Sequence, residues 1–328
     1  MSSLVTGGAG FLGSHVAEEL LRLGHRVVVL DDLSAGRREN VPVGAELVVG
    51  SILDEVLLRR LFREHAVARV FHLAAYAAEA MSHQIRSFIY TVNTVGSARL
   101  ISSAIEHRVR SFVFTSSAAV YGHLSQGADE SVTPQPIDPY GISKYAIELD
   151  LECAHSTYGL NYTIFRPHNI YGERQCISDR SRNVVAIFMS QAMSGQPFSI
   201  VGDGSQERCF TYVRDIAPLI AAAPETASAA GRIVNLGHDT STSISELARL
   251  VSELFGRPLA LVHRPPRPEA RTVQVSHARM REIFGSRPVT PLGSGLAQMS
   301  AWVRQQCPLP PPLVPSPEVE FPPKPPLS

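Results

Sequence analysis

The sequence lacks several features that would indicate particular classes of protein. It has no run of about 18 apolar residues, which a membrane-spanning helix needs. It does not begin with a basic segment followed by an apolar signal sequence. Lysine plus arginine equals aspartate plus glutamate, at 30 each, so no overall basic field favours nucleic acid. We therefore expect a cytoplasmic protein with no nucleic-acid and no membrane partner.

Cysteine is also scarce. The four cysteines, Cys153, Cys176, Cys209 and Cys307, are widely spaced. This spacing matches neither a zinc site nor a disulfide framework, so we expect reduced thiols and no metal. Apolar residues make up 44% of the chain and charged residues 18%, which is typical of a globular enzyme with a substantial core.

The first half of the chain alternates apolar, strand-like segments with segments of helical periodicity. The predicted strands are Leu4–Thr6, Arg26–Leu30, Glu46–Val49, Arg69–Leu73, Ser111–Thr115 and Asn161–Arg166. The first predicted helix follows the first strand and ends at Leu23. The others span Leu53–Glu64, Ser82–His107 and Pro139–Tyr158. Continuous apolar strands between helices are typical of a parallel sheet covered on both faces. The sequence therefore predicts an α/β fold with a doubly wound parallel sheet of the Rossmann type.

The second half is less regular and predicts a smaller α/β region packed on the main sheet. The predicted helices are Asn183–Ser194, Ile244–Phe255 with a capping box of Ser243 and Glu246, Ser276–Phe284 and Leu292–Gln306; the predicted strands are Phe198–Val201, Arg232–Leu236 and Leu259–Val262. We expect the domain of the large sheet to be mainly residues 1–166 and the smaller region to be mainly residues 167–306, with the chain crossing back between them. Residues 307–328 are predicted to be an extended or disordered proline-rich tail.

The first strand leads into a glycine-rich turn that opens the first helix. Gly7, Gly10 and Gly13 form a G-x-x-G-x-x-G pattern. The first glycine permits a tight turn, the second lets the backbone approach a pyrophosphate, and the third lets the helix pack closely on the strand. The helix N-terminus offers N–H groups to phosphates. The pattern therefore predicts a dinucleotide site.

The cofactor that we expect in this site is NAD. Asp31 ends the second strand, 18 positions after Gly13. An acid at this place can accept hydrogen bonds from the adenosine ribose, and it repels the 2′-phosphate of NADP. Arg37 and Arg38 could favour NADP, but the two consecutive acids Asp31 and Asp32 outweigh them. We therefore expect residues 1–166 to be mainly the NAD-binding domain and 167–306 mainly the substrate-binding region.

A second group of candidate residues follows the fifth strand. Ser116 and Ser117 stand at its carboxyl end, the edge at which such sheets bind ligands. Tyr140 and Lys144 are four residues apart in a predicted helix, so they share one face. A nearby ammonium favours the phenolate form of tyrosine, which can act as a base, and Ser117 could hydrogen-bond the same substrate hydroxyl. We predict that Ser117, Tyr140 and Lys144 are catalytic.

In this order, the motifs resemble those of extended short-chain dehydrogenase/reductases, in particular the nucleotide-sugar epimerases and dehydratases related to UDP-glucose 4-epimerase. The resemblance runs from Leu4 to about Trp302. It rests on the glycine turn, Asp31–Ser34, His72–Ala75, Asn93, Ser116–Ser117, the Tyr140 and Lys144 pair, Arg166–Gly172 and Gly202–Gly204. It implies NAD as cofactor, a UDP-sugar as substrate, and a homodimer in which the helices 82–107 and 139–158 could pair.

The resemblance also implies roles for individual residues. Cofactor contacts are implied for Gly7, Gly10, Phe11, Leu12, Gly13, Asp31, Ser51, Ile52, Leu73, Ala74, Ala75, Asn93, Ser116, Tyr140 and Lys144. Substrate contacts are implied for Ser117, Tyr140, Asn169, Asn183, Arg208, Arg267 and Arg271. Arg182 is a further substrate candidate because it lies in an arginine-rich loop beside this site. Arg208, with Arg267 or Arg271, would meet the substrate diphosphate, because a guanidinium fork suits phosphate oxygens.

The residues after the catalytic serine separate two reactions of this group. Family 4,6-dehydratases carry an Asp-Glu pair there, whereas this sequence has Ala118 and Ala119. Alanine cannot transfer a proton, so the remaining groups can oxidise an alcohol and reduce it again. We therefore expect NAD-dependent, reversible 4-epimerisation of a UDP-hexose of the UDP-glucose/UDP-galactose type.

Three alternatives stay open. Arg180 and Arg182 lie in an arginine-rich loop beside the expected substrate site, where one could pair with a C6 carboxylate; this favours a UDP-glucuronate 4-epimerase. Another nucleotide-sugar dehydratase or reductase would share most motifs. A non-catalytic NAD-binding scaffold could use the same fold, since fold does not determine function, although the intact catalytic residues argue against it.

Overall fold

Seven strands form one parallel sheet in the computed structural model, which describes residues 1–123, 127–178, 183–265, 272–273 and 275–306. In chain order the strands are β1 (Ser2–Thr6), β2 (Arg26–Asp31), β3 (Glu46–Val49), β4 (Val67–His72), β5 (Ser111–Thr115), β6 (Tyr162–Pro167), β7 (Ile170–Tyr171), β8 (Phe198–Val201), β9 (Glu207–Cys209), β10 (Thr211–Tyr212), β11 (Arg232–Leu236), β12 (Ser241–Ser243), β13 (Leu261–Arg264) and β14 (Thr272–Val273). The helices are α1 (Phe11–Arg22), α2 (Glu55–His65), α3 (Arg86–Ile89), α4 (Gly96–Glu106), α5 (Pro139–Tyr158), α6 (Val184–Met193), α7 (Val213–Ala222), α8 (Ile244–Leu254), α9 (Ala278–Phe284) and α10 (Leu292–Val303).

The order of the large sheet is β11-β6-β5-β4-β1-β2-β3, and it reverses beside β1. β2 and β3 follow on one side of β1, whereas β4, β5 and β6 follow on the other. A crevice forms at such a reversal, and ligands bind there. Thr6 ends β1 beside Leu30 of β2 and His72 of β4, so the segments after these three strands meet in the crevice. The predicted doubly wound parallel sheet is confirmed.

Helices cover both faces of the sheet because its strands are apolar on both. On one face, Leu58 of α2, Leu100 of α4 and Leu151 of α5 belong to one buried cluster. On the other face, Val16 of α1 and Ile216 of α7 belong to a second cluster. The two layers hold the strand ends rigidly in place.

The second half of the chain builds a third cluster and also returns to the large sheet. Phe188 of α6, Leu247 of α8 and Met299 of α10 belong to this third cluster. Between these elements β11 pairs with β6 at the sheet edge, and α7 packs on α1. Residues 213–236 therefore pack with the first half. The division of the chain at residue 166 stays a prediction, and the tail 307–328 lies outside the described residues.

Several elements differ from the sequence prediction, and three of the differences concern helices. The helix expected over 82–107 begins at Arg86 and contains a π-helical segment, Tyr90–Val95. The sequence pattern does not predict α7, because Pro218 lies inside it and proline cannot donate to the preceding turn. Half of the expected capping box forms: the Ser243 hydroxyl accepts the Glu246 N–H at 3.1 Å, while the Glu246 carboxylate pairs with Arg249.

Candidate membrane-spanning helices, metal sites and disulfides are absent from the described residues. No helix among them is long and apolar enough to cross a membrane. In the same part of the chain, no group of three or more His, Cys, Asp or Glu side chains could hold a metal ion. Cys153, Cys176 and Cys209 are free thiols.

Candidate active site

One large cavity opens at the carboxyl ends of the sheet strands. Its volume is about 1060 Å³, just above the range of an ordinary small-molecule site. The segments after β1, β2, β4, β5 and β6 form one wall, and residues of α6, β8, β9 and the start of α8 line the other. Both halves of the chain therefore build the cavity, which has room for two ligands.

The glycine turn lines one end of the cavity and leaves no space for side chains. Gly7 has a φ of +71°, and its carbonyl accepts the Gly10 N–H at 3.1 Å. A Cβ at Gly7 would lie 2.7 Å from the backbone nitrogen of the segment after β4. A Cβ at Gly13 would lie 2.1 Å from the Gly7 carbonyl oxygen. The turn therefore packs directly on its neighbours and presents the N-terminus of α1 to the cavity.

Asp31 fastens the glycine turn to the end of β2. Its carboxylate accepts the N–H groups of Ala9 and Leu33, each at 2.9 Å. Burial raises the pKa of Asp31, and these two hydrogen bonds oppose the rise. The side chain lines the cavity, and each oxygen has capacity for a further hydrogen bond. It therefore fits the ribose of a dinucleotide.

Tyr140 and Lys144 lie near the start of α5, which Asp138 caps by accepting the Gly141 N–H at 2.9 Å. The Lys144 ammonium donates to the Thr115 carbonyl at 2.9 Å and lies 5.9 Å from the centre of the Tyr140 ring. Burial lowers the pKa of Lys144 to about 7. A lysine with such a pKa responds strongly to a neighbouring anion, such as a phenolate.

Ser117 completes this group. Its oxygen accepts the Ala119 N–H at 3.1 Å and so caps a short 3-10 turn, Ala118–Tyr121. This bond fixes the position of the oxygen, and the hydroxyl hydrogen remains to be donated. Ser116, Ser117, Tyr140 and Lys144 all line the cavity. The structure thus brings the three predicted catalytic residues together.

The remaining cofactor candidates fall into two groups. Five of them line the cavity: Ser51, Ile52, Leu73, Ala74 and Ala75. Asn93 lies behind this lining. Its side-chain oxygen accepts the Tyr76 N–H at 2.8 Å, and its Nδ2 donates to the Tyr76 carbonyl at 3.2 Å. Asn93 therefore holds the segment after β4, and its influence on a cofactor would pass through that segment.

Three substrate candidates, Asn169, Asn183 and Arg208, line the same cavity. Asn169 has a left-handed φ of +42°. Asn183 caps α6 by accepting the Ala186 N–H at 3.2 Å, and Arg208 donates to the Glu207 carbonyl at 2.8 Å. Four further arginines that the sequence analysis places near the substrate lie outside the described residues: Arg180, Arg182, Arg267 and Arg271.

The structure adds cavity residues that the sequence analysis does not single out. Arg174 lines the cavity and pairs with Glu18 of α1 at 2.8 Å. His168 also lines it, and burial lowers its pKa to about 4, so the ring is neutral at pH 7. Glu79 and His83 are exposed lining residues. The arginine-rich segment 173–183 is the one sequence signal for Arg174, and His168 lies in the motif Arg166–Gly172. No sequence pattern indicates Glu79 or His83.

Comparison with known proteins decides the family. The sequence model of the NAD dependent epimerase/dehydratase family matches residues 3–237. The chain belongs to this family. It is 35% identical to the UDP-glucose 4-epimerase of Mycolicibacterium smegmatis over 314 residues, which are 93% of this chain and 99% of that protein.

Solved structures of the epimerase/dehydratase family match the fold. The crystal structure of UDP-glucose 4-epimerase with UDP-glucose from Thermotoga maritima gives a TM-score of 0.88 at 35% identity. The UDP-glucose 4-epimerase of Thermus thermophilus in complex with NAD gives 0.87 at 33% identity. Each match covers 93% of this chain and 99% of the other.

As a member of the epimerase/dehydratase family, the protein is an enzyme that uses NAD. The cavity fits this cofactor, because the glycine turn admits close approach at the N-terminus of α1 and Asp31 stands at the end of β2. Ala118 and Ala119 follow Ser117, so no acid is present at these two positions. The arrangement can therefore remove and return a hydroxyl proton beside a hydride carrier.

Proposed function

We propose that the protein catalyses the reversible 4-epimerisation of a UDP-hexose, of the UDP-glucose/UDP-galactose type, with NAD as a resident cofactor. The observation that carries the proposal is the grouping of Ser117, Tyr140 and Lys144 in the cavity that the glycine turn also lines. The relatives from M. smegmatis and T. maritima, which are UDP-glucose 4-epimerases, support the substrate class.

The protein's own groups move the proton in this mechanism. Tyr140, as the phenolate, accepts the proton of the C4 hydroxyl, and Ser117 donates a hydrogen bond that orients the C4 oxygen. Lys144 stabilises the phenolate, because the ammonium is buried nearby and Coulomb attraction is strong in such surroundings. NAD, when bound, would supply a reversible acceptor for the C4 hydride. The 4-keto sugar turns over in the pocket, so that the hydride comes back to the opposite face of C4. Tyr140 then returns the proton, so no second substrate is consumed.

The remaining site residues bind and orient the two ligands in this proposal. The N–H groups at the start of α1 hold the cofactor pyrophosphate, helped by the positive end of the helix dipole. Asp31 accepts hydrogen bonds from the adenosine ribose and disfavours NADP. Arg208 donates hydrogen bonds to the substrate diphosphate, while Asn169 and Asn183 bind the UDP part.

A direct assay follows UDP-galactose by NMR after purified protein is mixed with UDP-glucose. Tyr140→Phe should lower kcat by at least about 100-fold, the effect of losing a general base, while NAD stays bound. Tyr158→Phe is the matched control, because this tyrosine lies at the end of the same helix and is 67% exposed. Near-normal turnover by Tyr140→Phe would refute the role of Tyr140.

The same assay separates the alternative reactions. UDP-glucuronate and UDP-N-acetylglucosamine are tested beside UDP-glucose. Turnover of UDP-glucuronate alone would show that the substrate is a uronate rather than a neutral hexose. Release of water from the sugar would identify a dehydratase. Bound NAD without turnover of any nucleotide sugar would favour the scaffold alternative.

We also propose that the protein is a homodimer. Ile142 and Leu149 are exposed on one face of α5. Val95, which is also exposed, ends the π-helical segment that leads into the neighbouring α4. Exposed apolar side chains on adjacent helices favour pairing with a second copy. Leu149→Glu should give a monomer by size exclusion with light scattering, whereas Val43→Glu, at a fully exposed position elsewhere, should not. A monomeric wild type would contradict the proposal.

A cytoplasmic location is a further proposal. It is supported by the free thiols of Cys153, Cys176 and Cys209, because reduced cysteines are typical of that compartment. Fractionation of the source cells with an antibody to the protein tests the location. Recovery of the protein mainly from a secreted or membrane fraction would contradict it.

A further inference from the structure

A buried carboxylate behind the catalytic group has no part in the mechanism above. Glu148 lies one helical turn beyond Lys144, so Tyr140, Lys144 and Glu148 follow one another at intervals of four along one face of α5. Glu148 is 1% exposed. A buried carboxylate needs compensating partners, so the partners of Glu148 indicate what it does.

Three donors meet the Glu148 carboxylate. The Ser116 hydroxyl donates to Oε1, the Arg166 Nε donates to the same oxygen at 3.0 Å, and the Arg166 Nη2 donates to Oε2. Arg166 is itself 2% exposed, and its guanidinium lies over the ring of Tyr121, 4.6 Å from the ring centre. Bidentate pairing of this kind is strong and fixes both side chains.

These contacts hold both ends of the corner that carries Ser117. Ser116 precedes it, and Tyr121 ends the short turn that Ser117 caps. Just before Ser116 in the chain, the Thr115 carbonyl accepts a hydrogen bond from the Lys144 ammonium. The position of the Ser117 hydroxyl is therefore determined by bonds that lead back to Glu148 and Lys144.

Glu148 also determines the electrostatic field at Lys144. Burial lowers the pKa of Lys144, and the negative charge of Glu148 opposes this effect. His72 also interacts with Lys144, and burial lowers the pKa of His72 to about 3, so its ring is neutral at pH 7. Glu148 is therefore the anion that favours a charged Lys144 before the phenolate of Tyr140 forms.

The other titratable groups around Glu148 keep their usual charge states at pH 7. Arg166 remains a cation, since its pairing with Glu148 raises its pKa further despite burial. Tyr121 and Tyr162 stay neutral, because burial raises the pKa of each. When Lys144 is protonated, Lys144, Arg166 and Glu148 together carry one net positive charge, which a Tyr140 phenolate would balance.

We propose that Glu148 is a positioning residue for the reaction: its carboxylate holds the Ser116–Ser117 corner and keeps Lys144 protonated beside Tyr140. This inference rests on the proposed function, in which the three catalytic residues act on the C4 hydroxyl. Glu148 touches neither substrate nor cofactor in it and acts through its neighbours.

The test is direct because the chain has only two lysines, Lys144 and Lys324. In a Lys324→Arg background, lysine labelled with carbon-13 gives one side-chain signal in the NAD-bound protein, and its pH titration reports Lys144. Glu148→Gln should lower the titration midpoint by about one pH unit or more, the usual effect of losing an adjacent opposite charge. Glu152→Gln, the same change one turn further along α5, should leave both midpoint and activity unchanged.

Ser116→Ala separates the two roles of Glu148. It keeps the charge, so the Lys144 midpoint should stay at the wild-type value. It removes one bond to the Ser117 corner, so kcat should fall. Glu148→Gln should lower kcat by about tenfold or more, part of the contribution of a positioned base, with little change in KM because the expected UDP contacts lie on other elements.

A second variant covers the case in which Glu148→Gln leaves Arg166 unpaired and does not fold. Glu148→Leu combined with Arg166→Met replaces the buried pair by apolar side chains, a change that proteins often tolerate, and the Lys144 midpoint should again fall. An unchanged midpoint in the folded variant overturns the proposal. Failure of the wild type to turn over any UDP-sugar would instead refute the proposed function, and the titration would still report on Glu148.

Discussion

Gly13→Ala tests the packing of the glycine turn, on which the cofactor site depends. An added Cβ would lie 2.1 Å from the Gly7 carbonyl oxygen, whereas ordinary contacts of a Cβ begin at 3.4 Å. The turn would have to move by more than 1 Å, because the obstacle is backbone rather than the end of a flexible side chain. The Gly7 carbonyl also accepts the Gly10 N–H, so the shift would disturb the cofactor-facing part of the turn.

The expected cost follows from two opposing effects. Alanine inside a helix is favoured over glycine by roughly 0.5–1 kcal/mol. Overpacking of a well-packed site costs about 1–3 kcal/mol, so Gly13→Ala should lower the free energy of unfolding. The affinity for NAD should fall by at least about tenfold, which corresponds to roughly 1.4 kcal/mol, because the displaced turn is the expected pyrophosphate site.

Urea unfolding and calorimetric titration with NAD measure the two effects. Gly293→Ala is the matched control, since this glycine is also in a helix and a Cβ there would meet nothing within 4 Å. The control should leave NAD affinity unchanged and stability equal or slightly higher. A Gly13→Ala protein with wild-type stability and NAD affinity would refute the packing argument.

Two further predictions concern charged residues of the site. Asp31→Asn should weaken NAD binding by roughly 10- to 100-fold, because a hydrogen bond to a charged group contributes about that much. It should also raise the affinity for NADP relative to NAD. If titrations with the two cofactors give an unchanged ratio of affinities, the ribose contact is contradicted. Lys144→Met should abolish a pH dependence of stability. The unfolded chain keeps the Lys144 proton up to about pH 10, whereas the folded protein releases it near pH 7. The free energy of unfolding of the wild type should therefore rise between about pH 7 and pH 10, by up to about 4 kcal/mol relative to the variant. Parallel pH profiles of the two proteins in urea unfolding would contradict this prediction.

Much of the large sheet is predictable because its strands are continuous apolar runs between helices. The strands Glu46–Val49, Ser111–Thr115 and Arg232–Leu236 have the predicted bounds. The helix Pro139–Tyr158 does too, because Asp138 caps its start and a glycine with a positive φ follows its last residue. Local signals suffice for these elements.

The parts that sequence patterns miss depend on contacts between distant residues. The π-helical segment brings Asn93 to the backbone of Tyr76, 17 residues away. Glu148 and Arg166 lie on different elements, and no spacing rule indicates that they pair. Arg182, Arg267 and Arg271 stay predictions, since they lie outside the described residues.

The central claim is that the C4 hydrogen leaves as hydride and returns to the same carbon while Tyr140 holds only the proton. The measurement that tests it most directly is the conversion of UDP-glucose in D2O without added NAD, with NMR detection of the hydrogen at C4 of the product. The account predicts UDP-galactose that retains protium at C4 and no product from Tyr140→Phe. Deuterium from solvent at C4 would contradict it.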